Sequence, residues 1–318
     1  MNPINRLYTR REVLALGAGL AASALPAMTA AQGSAKPILA RPIPGTKEML
    51  PVIGLGTAII FDIHDDAAQR TERTKVIRTF LDGGARLIDT APSYGSAESV
   101  VGDLLADMKV REQVFLATKV RANSNDAFIA QMKESQRKLH STKLDLMQMH
   151  NVGFLDRKMV ASQLAILREW KQQGVFRHIG VTHSQNQERA NDRLIDIMQQ
   201  EKIDFIQVNY SLAQRSVEQR LLAAATDTGT AVMCNLPFAR NQLFGTVRGK
   251  PVPEWAKEFD ATTWGQFFLK YLLADQAVNC VIPGTDKVEY MLDNLNAGRG
   301  RLPDAAMRQR MRAHIDAL

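Results

Sequence analysis

Short apolar runs alternate with longer amphipathic segments along most of the chain. The short runs have the length and composition of buried strands, and the longer segments repeat apolar residues at helical spacing. In one of them Val160, Leu164 and Leu167 share a helical face that Ala161 is expected to extend, and Gly174 is predicted to close this helix. Strands are expected near residues 52–56, 85–89, 114–118, 144–149, 178–182, 204–208, 231–235 and 278–282.

Eight strands separated by helices predict an α/β fold, a (β/α)8 barrel, and 318 residues are enough for one such barrel with a large core. Before the first strand, residues 36–52 hold two short apolar pieces around the turn-rich segment 42–46, which predicts a β-hairpin. The longest irregular stretch, residues 237–262, follows the seventh strand. An irregular segment of this length on the catalytic face of a barrel is typical of a functional loop.

Three successive predicted strands end in side chains that can move a proton. Asp89 and Tyr94 follow the second strand, Lys119 ends the third and His150 ends the fourth. Barrel enzymes carry their chemistry at these strand ends. A phenol has a pKa near ~10, which an adjacent ammonium lowers, and a carboxylate keeps that ammonium charged. Each residue alone is also typical of an ordinary turn, core or surface position. Four such residues at three consecutive strand ends favour an active site.

This order of residues resembles the tetrad of Asp, Tyr, Lys and His in the aldo-keto reductase family. The resemblance extends over roughly residues 37–300 and includes the segments Gly54-Leu55-Gly56-Thr57, Gly180-Val181-Thr182, Gln207-Val208-Asn209-Tyr210 and Ile282-Pro283-Gly284-Thr285. It implies a TIM barrel whose bottom is closed by the N-terminal hairpin. It also implies NAD(P)H-dependent reduction of an aldehyde or ketone to an alcohol.

The resemblance implies a role for each residue of the tetrad. Tyr94 would be the general acid that protonates the carbonyl oxygen, and His150 would orient that oxygen. Lys119 would lower the pKa of Tyr94, and Asp89 would anchor Lys119. The family's fourth-strand motif is similar to Asp145-Leu146-Met147-Gln148-Met149-His150-Asn151 in this chain.

A nicotinamide nucleotide is the cofactor that the resemblance implies. The sequence has no Gly-x-Gly-x-x-Gly turn between a strand and a helix, so it does not indicate a Rossmann dinucleotide site. Thr182 and Gln207 would hold the nicotinamide carboxamide, Arg240 would face the pyrophosphate, and Asn294 would meet the adenine. The full set of implied nucleotide contacts is Gly56, Thr57, Thr182, His183, Gln207, Arg240, Gly284, Thr285, Lys287 and Asn294.

Four positions depart from the family pattern. His183 stands where Asn is common, and Asn235 stands where many members place an aromatic ring against the nicotinamide. Asp286 and Tyr290 stand where members often carry a basic residue for the 2'-phosphate of NADP, and a carboxylate repels a phosphate. With Lys287 nearby, we expect NADP(H) to be preferred over NAD(H), although weakly.

The N-terminus predicts an export signal. Arg10-Arg11 precedes a weakly apolar Ala/Gly/Leu run that ends in small residues near Ala31, a pattern typical of a twin-arginine signal. The run is shorter than the ~20 residues needed to span a bilayer. We therefore expect a signal at residues 1–31 and a barrel at residues 32–318. Export through the twin-arginine machinery to the periplasm, with no stable membrane span after processing, is the expected outcome.

Composition excludes several other classes of function. The net charge of +7 is scattered, without a basic stripe interleaved with aromatic residues, so nucleic-acid binding has no support. Cys234 and Cys280 lie in apolar runs and are expected to be buried free thiols, although a bridge between neighbouring strands is conceivable. The six histidines show no metal-ligand spacing, so we expect no metal site.

Two hypotheses of different classes remain. The first is a reductase whose partner is a small carbonyl compound of unspecified structure. The alternative is a nicotinamide-binding redox-sensing module of the same fold with little turnover, which the departures at His183 and Asn235 would suit. An unrelated barrel hydrolase or lyase would need a metal or nucleophile constellation, and the sequence shows neither.

Overall fold

Parallel strands form the centre of the fold. The structure, a computed structural model, describes residues 36–184 and 188–318. The predicted signal at residues 1–31 therefore lies outside the described residues. The strands are β1 (Ala40–Pro42), β2 (Met49–Pro51), β3 (Leu55–Gly56), β4 (Leu87–Asp89), β5 (Phe115–Val120), β6 (Leu144–Met149), β7 (Phe176–His183), β8 (Phe205–Asn209), β9 (Ala231–Asn235) and β10 (Val278–Val281).

Helices alternate with the strands of the central sheet. Four short 3-10 helices lie in the connections, at Arg111–Gln113, Val152–Phe154, Ser216–Glu218 and Glu254–Phe259. The α-helices are α1 (Ala67–Asp82), α2 (Ala97–Asp107), α3 (Asn125–Lys138), α4 (Arg157–Gln172), α5 (Glu188–Glu201), α6 (Leu221–Thr228), α7 (Gln242–Thr246), α8 (Trp264–Leu273), α9 (Val288–Ala297) and α10 (Ala305–Asp316).

The central sheet closes on itself. Strands β3 to β10 pair in parallel and in chain order. Parallel bridges between Ile53 and Val281, and between Gly56 and Gly284, join the last strand to the first. The expected (β/α)8 barrel is confirmed, and the parallel strands bring all their C-terminal ends to one face.

The N-terminal hairpin is also confirmed, and it lies at the barrel bottom. Strands β1 and β2 pair antiparallel. Ile43 and Leu50 are buried in one apolar cluster with Phe115 and Phe205, the first residues of two barrel strands. The Arg41 guanidinium donates to the carbonyls of residues 273, 275 and 278, which ties the hairpin to the end of α8.

Alternation along the strands separates the inside of the barrel from the layer under the helices. Cys280 lies in the inner apolar cluster, whereas Cys234 on the neighbouring strand lies in the outer one. Both cysteines are free and buried, as expected, and no bridge joins them because they face opposite sides of the sheet.

One detail of the helical prediction was wrong. In α4, Val160, Leu164 and Leu167 are buried but Ala161 is exposed. Gln163 takes the remaining buried position, because it lies three residues after Val160 and its amide donates to the Ala122 carbonyl at 2.9 Å.

The stretch at 237–262 is less irregular than expected. It contains α7 and the 3-10 helix Glu254–Phe259. Phe244 and Trp255 each pack a ring against α8, with centroids 5.6 Å from those of Phe268 and Phe267 respectively. These aromatic contacts form because the stretch folds back onto α8, the next helix in the chain, and the local sequence pattern does not indicate that fold. Within residues 36–184 and 188–318, no helix has the length and apolar character needed to cross a membrane.

Candidate active site

A cavity of about 510 Å³ opens at the C-terminal face of the barrel; we call it the central cavity. It brings together the four residues of the predicted tetrad, Asp89, Tyr94, Lys119 and His150. Seven of the ten predicted nucleotide contacts also line it: Gly56, Thr57, Thr182, His183, Gln207, Arg240 and Gly284.

A buried ion pair lies at the floor of this cavity. Strands β4 and β5 pair with Asp89 beside Ala117, so Asp89 and Lys119 end on the same face of the sheet. The Lys119 ammonium donates to Asp89 Oδ2 at 2.6 Å and to the Thr90 carbonyl at 2.9 Å. Burial alone would lower the pKa of Lys119, but Asp89 and Tyr94 outweigh it and the pKa is raised. Lys119 is therefore a charged ammonium that Asp89 holds in place.

The Tyr94 phenol lies next to this ammonium, in the turn between β4 and α2. Lys119 Nζ is 4.9 Å from the centre of the Tyr94 ring. Burial raises the pKa of Tyr94, Lys119 lowers it and Asp89 raises it, and the net pKa is above the ordinary value. Lys119 lowers the pKa of Tyr94 as expected, but burial of the phenol exceeds the effect of the cation. At neutral pH the phenol keeps the proton that a general acid must donate.

The imidazole of His150 faces the same phenol. His150 follows β6, and its ring meets that of Tyr94 edge to face at 6.1 Å between centroids. Burial, with smaller effects from Lys119 and Arg121, lowers the pKa of His150 to about 3. The ring is neutral at physiological pH, and a neutral imidazole can donate one hydrogen bond without competing as an acid.

Two glutamine side chains surround the Asp89 carboxylate. Gln148 Nε2 donates to Asp89 Oδ1 at 3.4 Å, and Gln207 Nε2 donates to Asp89 Oδ2 at 3.1 Å. This contact turns Gln207 Oε1 away from Asp89. Among the residues that the structure describes, this buried oxygen has no hydrogen-bond donor. An unpaired buried acceptor is costly, and the NH2 of a nicotinamide carboxamide would satisfy it. The site therefore fits the nicotinamide end of the expected cofactor.

The end of β7 forms the adjoining wall. Thr182 Oγ1 accepts from the backbone N–H of Asn151 at 3.0 Å, so its own hydrogen can still be donated. A Cβ on Gly153 would lie 2.5 Å from the His183 ring, so His183 needs glycine at that position. Asn151 adopts a left-handed φ of 59° and accepts from Ser184 through its side chain. The sequence analysis missed Gly153, which leaves room for the His183 ring, and Ser184, which donates to Asn151. No local sequence pattern indicates these contacts.

The predicted contacts for the far end of the nucleotide are spread more widely. Arg240 lies in a run of left-handed residues, with φ of 49° at Ala239, 53° at Arg240 and 68° at Asn241. Lys287 lines a second, more open cavity of about 730 Å³, together with Arg73, Asp286 and residues of α1. Thr285 and Asn294 are buried and lie outside the lining of both cavities.

Two buried polar residues behind the tetrad were also missed. Glu98 on α2 and Thr118 on β5 are both fully buried, and they share a hydrogen bond. The signal that could have found Glu98 is its helical spacing from the apolar residues Val101 and Leu105, which places it on the buried face of α2. No group of three or more potential metal-ligating side chains occurs in the part of the chain that the structure describes.

Comparison with known proteins gives a consistent result. Residues 52–315 match the Aldo/keto reductase family. The methylglyoxal reductase YeaE of Escherichia coli is 30% identical over 254 residues, which cover 77% of this chain and 84% of that protein. The NADH-specific methylglyoxal reductase of E. coli is 28% identical over 215 residues. That match covers 58% of this chain and 63% of the relative, less than two thirds of its length.

A solved structure agrees with these sequence matches. The aldo-keto reductase from Klebsiella pneumoniae in complex with NADPH superposes with a TM-score of 0.69 at 25% sequence identity. The superposition covers 89% of this chain and 94% of that one. With the closed barrel and the match over residues 52–315, these comparisons show that the chain belongs to the aldo/keto reductase family.

Proposed function

We propose that this protein reduces an aldehyde or ketone to an alcohol with NAD(P)H, and that Tyr94 is the general acid. The observation that carries this proposal is the shared wall of the central cavity. A protonated phenol, a neutral imidazole and a buried ammonium–carboxylate pair meet there, beside the unpaired acceptor Gln207 Oε1. Proton transfer to an oxygen needs the first three, and the acceptor fits the nicotinamide.

The geometry supports the following division of labour. Bound nicotinamide supplies the hydride that reaches the carbonyl carbon. Tyr94 gives its proton to the carbonyl oxygen, which becomes the alcohol hydroxyl. The phenolate left on Tyr94 is stabilised by the Lys119 ammonium, which Asp89 holds at 2.6 Å. His150 donates a hydrogen bond to the same oxygen and fixes its direction.

The relatives support a small carbonyl substrate. Both E. coli relatives described above are named methylglyoxal reductases. For the cofactor, one of these relatives is named NADH-specific, whereas the Klebsiella structure contains NADPH. We propose a weak preference of this chain for NADP(H), because Lys287 is offset by the neighbouring Asp286.

Tyr94→Phe tests the proposed function. The variant keeps the packing of the ring and removes the proton, so turnover of a panel of aldehydes should fall by roughly 10²-fold or more. The dissociation constant of the reduced nucleotide, measured by fluorescence titration, should stay within about twofold. Equal turnover by wild type and Tyr94→Phe would show that Tyr94 is not the general acid. A wild-type protein that binds the nucleotide but turns over none of the aldehydes would favour the redox-sensing module instead.

We also propose that the protein is exported by the twin-arginine route. The support is Arg10-Arg11 followed by a weakly apolar run. Replacement of both arginines by lysine should hold the full-length precursor in the cytoplasm. Cell fractionation with an antibody measures this, with a periplasmic and a cytoplasmic marker as controls. Equal periplasmic amounts of wild type and double variant would contradict the proposal.

A further inference from the structure

A carboxyl group outside the lining of the two cavities described above lies directly behind the tetrad. Glu98 is in the first turn of α2, and its side chain is 0% exposed. Its Oε1 accepts from the Thr118 hydroxyl at 2.6 Å. Burial raises the pKa of Glu98, and the hydroxyl of Thr118, followed by that of Ser135 on α3, opposes that shift. Placing a carboxyl group in this apolar layer is costly, so the presence of Glu98 there calls for a functional explanation.

The two partners of this hydrogen bond belong to the two segments that carry the proton-transfer pair. Thr118 directly precedes Lys119 in β5, and alternation along the strand places their side chains on opposite faces of the sheet. Tyr94 lies three residues before the start of α2, and its carbonyl accepts from the Ala97 N–H at 3.1 Å. The Glu98–Thr118 bond therefore connects the turn of Tyr94 to the strand of Lys119 through the helix layer.

We propose that Glu98 is a positioning residue of the active site, which acts through Thr118 to fix the distance between the Lys119 ammonium and the Tyr94 phenol. This inference rests on the proposed function, because it concerns the acid that the function requires. Lys119 Nζ is 4.9 Å from the Tyr94 ring, and the ammonium's stabilisation of a phenolate weakens as this distance grows. Misplacement of a catalytic group by about 1 Å can cost as much as 10²-fold in rate.

The test must separate positioning from simple loss of stability. Thr118→Val removes the hydroxyl but keeps the shape, and Thr118→Ser keeps the donor. Because Thr118→Val removes a hydrogen-bond donor from the buried Glu98 carboxyl, the double variant Glu98→Leu/Thr118→Val is also made. Replacing both partners of a buried hydrogen bond by apolar groups can be nearly neutral for stability. Thr230→Val is the matched control, since Thr230 is also buried and bonds Thr228 Oγ1 at 3.0 Å, near the start of β9.

Steady-state turnover and the pH profile of alcohol oxidation are measured for each variant with the nucleotide bound. In the double variant kcat should fall about tenfold, and the pH limb over which the oxidation rate rises as the Tyr94 phenol ionises should move to higher pH. Thr118→Ser should restore kcat to within about twofold of wild type. The dissociation constant of the nucleotide should not change, and Thr230→Val should lose stability while keeping both kcat and the pH limb.

Failure of the proposed role of Glu98 and failure of the proposed function give different results. If Tyr94→Phe is inactive while the double variant keeps the wild-type kcat and pH limb, the role of Glu98 is wrong and the function stands. If Tyr94→Phe is as active as wild type, the proposed function itself fails. A fall in kcat without a shift of the pH limb would also overturn the positioning role, because the effect would then not pass through the phenol.

Discussion

Two clusters in this barrel combine a phenol, a carboxylate and a cation. They differ in which charged group contacts the phenol. In the tetrad, Lys119 lies against both Asp89 and the Tyr94 ring, and the cluster faces the central cavity. The second cluster, which we call the outer cluster, lies outside the lining of that cavity. It consists of Tyr210, Glu218, Tyr271 and Arg308.

In the outer cluster both phenols donate directly to the carboxylate. The hydroxyls of Tyr210 and Tyr271 lie 2.6 and 2.7 Å from Glu218 Oε1, and Arg308 donates to the same oxygen at 3.1 Å. Burial raises the pKa of both tyrosines, and Glu218 raises it further. A proton that a phenol shares with a buried carboxylate is not available to a substrate. Tyr94 is a candidate acid because of which groups it contacts and because it faces the central cavity, rather than because of the residue types in its cluster.

The largest expected effect separates stability from activity. Arg308→Met removes the cation from the outer cluster, in which both charged side chains are mostly buried. Breaking such a pair leaves Glu218 without its main counter-charge, so the free energy of unfolding should fall by about 3 kcal/mol. Denaturant unfolding measures this, and kcat of the folded variant should stay within about twofold. A loss of turnover as large as that of Tyr94→Phe would show that the two clusters are not separate in function.

A smaller effect concerns the pH dependence of stability. The pKa of His150 is lowered from 6.5 to about 3 in the folded protein. Between these values the unfolded chain binds a proton at His150 and the folded protein does not, so His150 makes stability rise with pH. Its contribution is about 1.4 kcal/mol per pH unit in this window and is flat above it. Unfolding measured from pH 4 to pH 7 should show a shallower slope in His150→Gln, and an unchanged slope would mean that the imidazole is not held neutral.

The smallest effect is expected where charges face water. Lys287 and Asp286 line the open second cavity, and an exposed ion pair is worth only ~0.2 to 1 kcal/mol. The wild-type preference for NADP(H) should therefore be at most about fivefold, and Asp286→Arg should increase it. Fluorescence titration with both reduced nucleotides measures the ratio. A wild-type preference above roughly a hundredfold, about 2.7 kcal/mol, would mean that the phosphate site lies elsewhere.

The tetrad was predictable from sequence because each member lies at or just after the end of an apolar run, and parallel strands bring those ends together. The strands from β4 to β10 were predictable for the same reason. The outer cluster was not, because Tyr210, Glu218, Tyr271 and Arg308 come from four separate segments without a local pattern. The net direction of the Tyr94 pKa was not predictable either, since it depends on how deeply the phenol is buried.

The central claim is that Tyr94 donates the proton and that a tyrosine with similar neighbours elsewhere does not. Single-turnover reduction of a small aldehyde, followed by the loss of nicotinamide absorbance with the reduced nucleotide already bound, tests this most directly. Tyr94→Phe should slow the turnover by roughly 10²-fold or more, whereas Tyr210→Phe, the matched control from the outer cluster, should stay within about twofold of wild type. Equal rates for Tyr94→Phe and wild type, or an equal loss in both variants, would contradict the account.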